Sequence, residues 1–205
     1  MLDVHFVILG AVIGTLGTAK YLWDTLRGTT QPNRVTWLLW AVAPLLAFAV
    51  ELHEGVGLQA LMTFTVGFCP LLVFVASFWS PGAAWRIGRL DYLCGLLSLA
   101  GLVLWLATRH GTVAIVASIA ADGLAALPTL RKSLLAPHTE TAAAYATAAV
   151  NAALTLLTVK HLTTAVIAFP LYIVSVASLE TVLIVGRVGP RLRSLRATPL
   201  PTAET

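Results

Sequence analysis

DTLRGTTQPNRVTW at residues 24–37 and PTLRKSLLAPHTETA at residues 128–142 follow one pattern. Each has Thr-Leu-Arg at the end of an apolar run, a short polar loop with a proline, and a threonine opening the next apolar run. Thr25, Leu26 and Arg27 align with Thr129, Leu130 and Arg131. The second loop has one extra residue, after which Pro32 meets Pro137 and Thr36 meets Thr141. Further on, FCPLLVFVAS (68–77) resembles AFPLYIVSVAS (168–178), pairing Pro70 with Pro170. Three matches in the same order mark an internal repeat.

The apolar runs between these loops set the fold class. Of 205 residues, 58% are hydrophobic and 11% charged, and the mean hydropathy is +0.87. Soluble domains carry roughly 25% charged residues, so this composition lies outside their range. About 20 apolar residues at a rise of about 1.5 Å cross about 30 Å of hydrocarbon. On that measure the sequence predicts seven transmembrane helices, at about 6–26, 35–50, 57–79, 92–108, 112–130, 141–159 and 163–186. RGTTQPNR, ELHE, SPGAAWRIGRLD, RHG, RKSLLAPHTE and KH separate them, rich in turn formers and charge. The opening MLDVHFVILGAVIG carries Asp3 in place of a basic n-region, and reads as a retained first span rather than a leader. Cys69 and Cys94 fall in apolar runs as small hydrophobes, without paired spacing.

Charge orients the bundle. With the N-terminus outside, Lys20, Arg27, Arg34, Arg86, Arg89, Arg131, Lys132, Arg187, Arg191, Arg193 and Arg196 all face the cytoplasm, against Arg109 and Lys160 outside. One helix more or fewer scrambles that bias. Trp23, Trp37, Trp79 and Trp85 fall near the inner boundaries, where indole rings favour headgroups. A three-helix unit ends on the side opposite its start, so a like-oriented second copy needs one spacer helix. The expected organisation is a first repeat over 1–80, a linker helix over 81–110, a second parallel repeat over 111–188, and a basic, disordered cytoplasmic tail over 189–205.

This 3+1+3 plan resembles the SWEET and PQ-loop membrane proteins, which also run N-out to C-in. In them a Pro-Gln pair near the inner end of each repeat's first helix precedes a basic loop containing Ser or Thr. Pro128-Thr129 stands at that place in the second repeat and Asp24-Thr25 in the first. TQPNRVTWLLWAVAPLLAF (30–48) also looks like bacterial membrane proteins of this layout. The resemblance implies a bacterial inner (plasma) membrane and a solute pathway between two three-helix bundles, opened alternately to each side. SWEET sugar pockets use Asn on each third helix. The third helices here offer Thr63, Thr65, Ser175 and Ser178 instead, so the sugar itself does not carry over.

Ionisable and amide groups inside spans are the site candidates, because hydrocarbon penalises them. Asp122, midway through the fifth span, is a substrate- or proton-binding carboxylate, or else a carboxyl capped by hydroxyls or paired with Lys20. Asn151 in the sixth span and Trp37 and Trp40 in the second lie on corresponding helices. They offer a small polar solute a stacking face and an amide. The plainer readings are a headgroup anchor for Trp37 and an interhelical hydrogen bond for Asn151. Lys20 and Glu180 sit at similar depth. A Lys20–Glu180 or Lys20–Asp122 pair makes an inner gate, unless Lys20 snorkels to the headgroups. Pro44, Pro70, Pro128 and Pro170 interrupt spans and are candidate hinges. His5, His53, His110 and His161, with Glu51 and Glu54, fall on the outer side without ligand spacing, and read as wet interfacial residues.

HExxH, GxSxG, a catalytic aspartate pair and a nucleotide loop are all missing from the sequence, so no enzymatic activity, metal or cofactor is expected. The arginines after the last span are explained by topology and anionic lipid rather than nucleic acid. The expected partners are the lipid bilayer and a small polar solute, with homo-oligomers left open. The expected function is a small-solute transporter or facilitator working by alternating access. The alternative is a receptor or sensor of the same fold.

Overall fold

Helix boundaries follow from capping and proline chemistry in the loops. The computed structural model describes residues 2–53, 57–58, 60–79, 85–108, 111–159 and 164–197. Every long element among them is an α-helix: α1 (Phe6–Leu26), α2 (Arg34–His53), α3 (Ala60–Ala76), α4 (Arg89–Thr108), α5 (Gly111–Leu135), α6 (Ala142–Thr158), α7 (Thr164–Val185) and α8 (Val188–Ala197). A 3-10 turn, Pro137–Thr139, joins α5 to α6.

Gly28 ends α1. Its φ of 74° is open to glycine, and it lets the Gly28 and Thr29 amides donate back to the Thr25 and Asp24 carbonyls, a Schellman cap. Asn33 begins α2, its Oδ1 accepting from the amides of Val35 (3.1 Å) and Thr36 (3.3 Å). The Asn33 amide nitrogen donates in turn to Asp91 on α4, so one side chain caps a helix and ties it to another. Pro44, Pro70, Pro128 and Pro170 all lie inside helices.

Two expectations need correction. The fifth helix does not stop near 130, because Arg131–Leu135 are good helix formers and the chain turns only before Pro137. Lys132 therefore sits on a helix face and is buried rather than in a wet loop. Nor is the tail disordered from 189, since α8 continues to Ala197 and packs on α5 and α7. The last carbonyls of α5 have no partner within that helix. The Arg193 guanidinium donates to one of them, Leu135 O, at 2.8 Å. Gly189 allows the approach, because a Cβ there would stand 1.8 Å from Leu134 O. Residues 198–205 lie outside the described residues.

α3 packs against both α1 and α2, and α7 against both α5 and α6. Among the described residues the backbones of α1 and α2 do not approach closely, nor do those of α5 and α6, and α1 meets α2 through side chains such as Tyr21 and Trp37. The two groups of three meet along α1–α6 and α2–α5, and α4 leans on α5 and α2. At the α1–α6 seam Gly10, Gly14 and Gly17 face Asn151, Thr147 and Ala143. Missing Cβ atoms let the two backbones approach closely.

Several large apolar side chains face outward while some charged ones are buried. Leu16, Leu96 and Val185 are 65%, 67% and 68% exposed, whereas Lys132 and Glu180 are 1% and 0% exposed. Among the described residues two helical stretches are long and apolar enough to cross a membrane, Phe6–Leu26 and Ile167–Val185. An all-helical chain of this kind is compatible with an α-helical membrane protein.

Candidate functional site

A cavity of about 100 Å³ opens where six helices, α1 to α3 and α5 to α7, converge. One water needs roughly 10–15 Å³ of such space, so the cavity has room for several waters or one compact solute. Most of its wall is apolar, and its few polar groups come from separate helices. α5 supplies Asp122, α6 supplies Asn151 and Tyr145, α7 supplies Glu180, and α2 supplies Trp37 and Trp40. Glycine and threonine at Gly14 and Thr18 form the α1 side, and Pro70 with Cys69 the α3 side.

Asp122 is 6% exposed and accepts a hydrogen bond of 2.7 Å from the Tyr172 hydroxyl on α7. The Trp40 indole N–H lies beside the same carboxyl without closing a hydrogen bond of ordinary geometry. Asn151 is buried, and its Oδ1 has no hydrogen-bond partner. Glu180 is fully buried with both carboxyl oxygens unpartnered. Glu140, Lys132 and Asp122 all lie within its electrostatic reach. Trp37 is not a headgroup anchor. It is buried in an aromatic cluster with Tyr21 (ring centroids 4.6 Å apart), Trp40 (5.6 Å) and Tyr145 (6.4 Å).

Beneath the cavity, on the side of the two repeat loops, lies a dense polar floor. Lys132 and Glu140 form an ion pair whose side chains are completely buried. Glu140 Oε2 also accepts from the hydroxyls of Tyr21 (2.7 Å) and Tyr145 (2.9 Å). The Lys132 ammonium donates to Gln31 O, and its Nζ stands 5.4 Å from the Trp85 ring centre. Around this core the loops are tied together. The Gln31 amide donates to Thr139 O (2.9 Å), Thr30 and Thr141 share a hydrogen bond of 2.6 Å, and Thr141 donates to Asp24 (2.7 Å).

Lys20 takes no part in this. Its side chain is 57% exposed and pairs with Asp24 one turn along α1, so neither the Lys20–Glu180 nor the Lys20–Asp122 pair forms. The i,i+4 carboxylate is simply nearer than either buried acid. The buried pair is Lys132–Glu140, a contact that sequence reasoning misses by reading both residues as loop. One signal is available: two opposite charges on either side of Pro137, embedded in alanine and leucine. Tyr21, Tyr145 and Tyr172 are also missed, because a tyrosine in an apolar span carries no mark of which side it faces.

Pro70 borders the cavity, while Pro44, Pro128 and Pro170 are buried in their helices and do not line it. His5 pairs with Asp3 at the exposed start of the chain. The side chains of His53 and Glu51, and residues Glu54, His110 and His161, lie outside the described residues. No group of three His, Cys, Asp or Glu among the described residues is arranged to hold a metal ion. No protein-family model, curated protein or solved structure matches the chain.

Proposed function

We propose that this chain is an integral membrane protein of the bacterial inner membrane that moves a small polar solute between two like-oriented helix triplets. In this reading α1–α3 and α5–α7 are the triplets, α4 is the spacer, the N-terminus is outside and the C-terminus inside. The shared packing order supports it, with the third helix of each triplet lying against the other two. So does the outward display of leucine and valine around an interior that holds Lys132, Glu140, Asp122 and Glu180. A lone aspartate costs about 2.5–3.5 kcal/mol at the centre of a lipid-facing helix, and Asp122 avoids that cost by facing the cavity.

The observation that carries the reading is the cavity itself. Both triplets contribute to its wall, and the acid and amide of the middle spans face into it rather than toward lipid. The solute binds there, beside Asp122, Asn151, Trp37 and Trp40. The Lys132–Glu140 pair with Tyr21 and Tyr145 bars the cytoplasmic side. Alternating access requires that floor to part while the outer side closes, with the four in-helix prolines as sites of bending.

Purified protein in proteoliposomes, challenged with a panel of small polar solutes, tests this. Uptake of at least one solute is expected to exceed that of protein-free vesicles, and Asp122→Asn is expected to lower it by about tenfold or more. Uptake at full rate by the variant removes Asp122 from the route. If no solute is taken up at all, the chain is better read as a receptor or sensor of the same architecture.

A further inference from the structure

The cavity wall is unbalanced in its ionisable groups. Asp122 and Glu180 face it, and no lysine, arginine or histidine among the described residues does. The buried ammonium of Lys132 is already committed to Glu140 and Gln31 O. Three buried acceptor atoms around the same space lack donors: Asn151 Oδ1 and both carboxyl oxygens of Glu180. The indole N–H groups of Trp37 and Trp40 on the same wall lack acceptors too. A buried polar atom without a partner costs about 1–3 kcal/mol, so a ligand that both donates and accepts completes the site, and the two carboxyls with no basic group favour one that carries positive charge.

The aromatic groups point to the same chemistry. Trp37 and Trp40 stand edge-to-face with ring centroids 5.6 Å apart, and Tyr145 is 6.3 Å from Trp40. Ring faces attract cations, most of all where water is excluded. A bare metal ion suits this wall poorly, since the hard cations take six or more converging oxygens and the two carboxyls here stand on different helices amid apolar side chains.

We infer that the cavity binds a compact organic cation, an ammonium whose charge is held by Asp122 and Glu180 and whose carbon body packs on Trp37 and Trp40. This deepens the transport reading, and rests on it for the cavity being a solute site.

The test uses the full-length protein in detergent, with tryptophan fluorescence followed during titration by methylammonium, tetramethylammonium and choline. The neutral carbon isostere of choline, 3,3-dimethylbutan-1-ol, is run beside them, with sodium chloride as the ionic-strength control. At least one cation is expected to bind saturably, and choline about tenfold or more tighter than its neutral isostere, a difference of about 1.4 kcal/mol. Glu180→Gln and Asp122→Asn are each expected to weaken the cation about tenfold. Glu180→Asp, which keeps the charge, is expected to weaken it less and guards against reading a folding defect as lost affinity. Equal binding of choline and the isostere, no binding of any of the three cations, or indifference to both acid substitutions overturns the inference. Uptake of choline and of the neutral polyol erythritol into proteoliposomes separates the two claims. Erythritol uptake without cation binding sinks the cation site and leaves transport standing. Cation binding without uptake of either leaves the site standing and sinks transport.

Discussion

Lys132→Met is expected to lower the stability of the folded protein by about 3–5 kcal/mol. Both side chains of the Lys132–Glu140 pair are fully buried, so removing the ammonium strands a carboxylate away from water. Tyr21 and Tyr145 still donate to that carboxylate, but two hydroxyl hydrogen bonds do not replace a full opposite charge. The backbone carbonyl of Gln31 loses its donor as well. Thermal unfolding in detergent, followed by tryptophan fluorescence, reads the loss directly. The double variant Lys132→Met/Glu140→Gln is expected to recover much of it, because glutamine keeps an acceptor for the two tyrosines while removing the stranded charge. A single variant within about 1 kcal/mol of the parent would show that the pair is not buried as described.

Gly17→Leu is expected to do comparable damage by a different route. A Cβ at this position would lie 1.8 Å from Thr147 Oγ1 and 2.7 Å from Ala143 O. The threonine can rotate away, but the carbonyl belongs to the α6 backbone and cannot. α1 and α6 must then separate along the seam where they pack. Overpacking of this kind costs about 1–3 kcal/mol when the neighbours can shift, and a bulky leucine against backbone falls at or beyond the upper end. Folded yield by size exclusion and the unfolding temperature both report it. Val12→Leu, on the exposed face of the same helix, is the control expected to change neither. If Gly17→Leu behaves like that control, the close approach of α1 and α6 is wrong.

How far the sequence alone reaches depends on which force is at work. Bilayer thickness, capping glycine and proline act locally, so the ends of α1 and the in-helix prolines can be read from the residues directly. The cost of burying a polar group in hydrocarbon also acts on each residue singly. That is why Asp122, Asn151 and Glu180 stand out as groups that must face inward, and all three line the cavity. Pairing is different, since it depends on where other helices fall. Lys20 finds Asp24 on its own helix, whereas Lys132 finds Glu140 across a turn that sequence reading takes for solvent-exposed loop. Trp37 illustrates the same limit. Its place near a predicted inner boundary suits a headgroup anchor, and only the meeting of α1, α2 and α6 around Tyr21 and Tyr145 shows it to be part of a core.

The tail shows the limit from the other side. Its arginines and prolines read as a solvated extension, because a short amphipathic segment has too little apolar surface to fold alone. Docking decides the matter. The end of α5 presents carbonyls that Arg193 satisfies, and Gly189 removes the one side chain that would block the contact.

The central claim is that lipid surrounds this bundle and that both repeat loops lie on its cytoplasmic side. Single cysteines placed in a Cys69→Ala/Cys94→Ala background, and labelled with a membrane-impermeant maleimide in intact cells and in inverted vesicles, test it most directly. Asp3→Cys and Gly57→Cys should label in intact cells only. Thr29→Cys, Ile87→Cys, His138→Cys and Leu195→Cys should label in inverted vesicles only. Labelling of all six from one side, or of Thr29 and His138 from opposite sides, would contradict the seven-crossing arrangement and the solute route built on it.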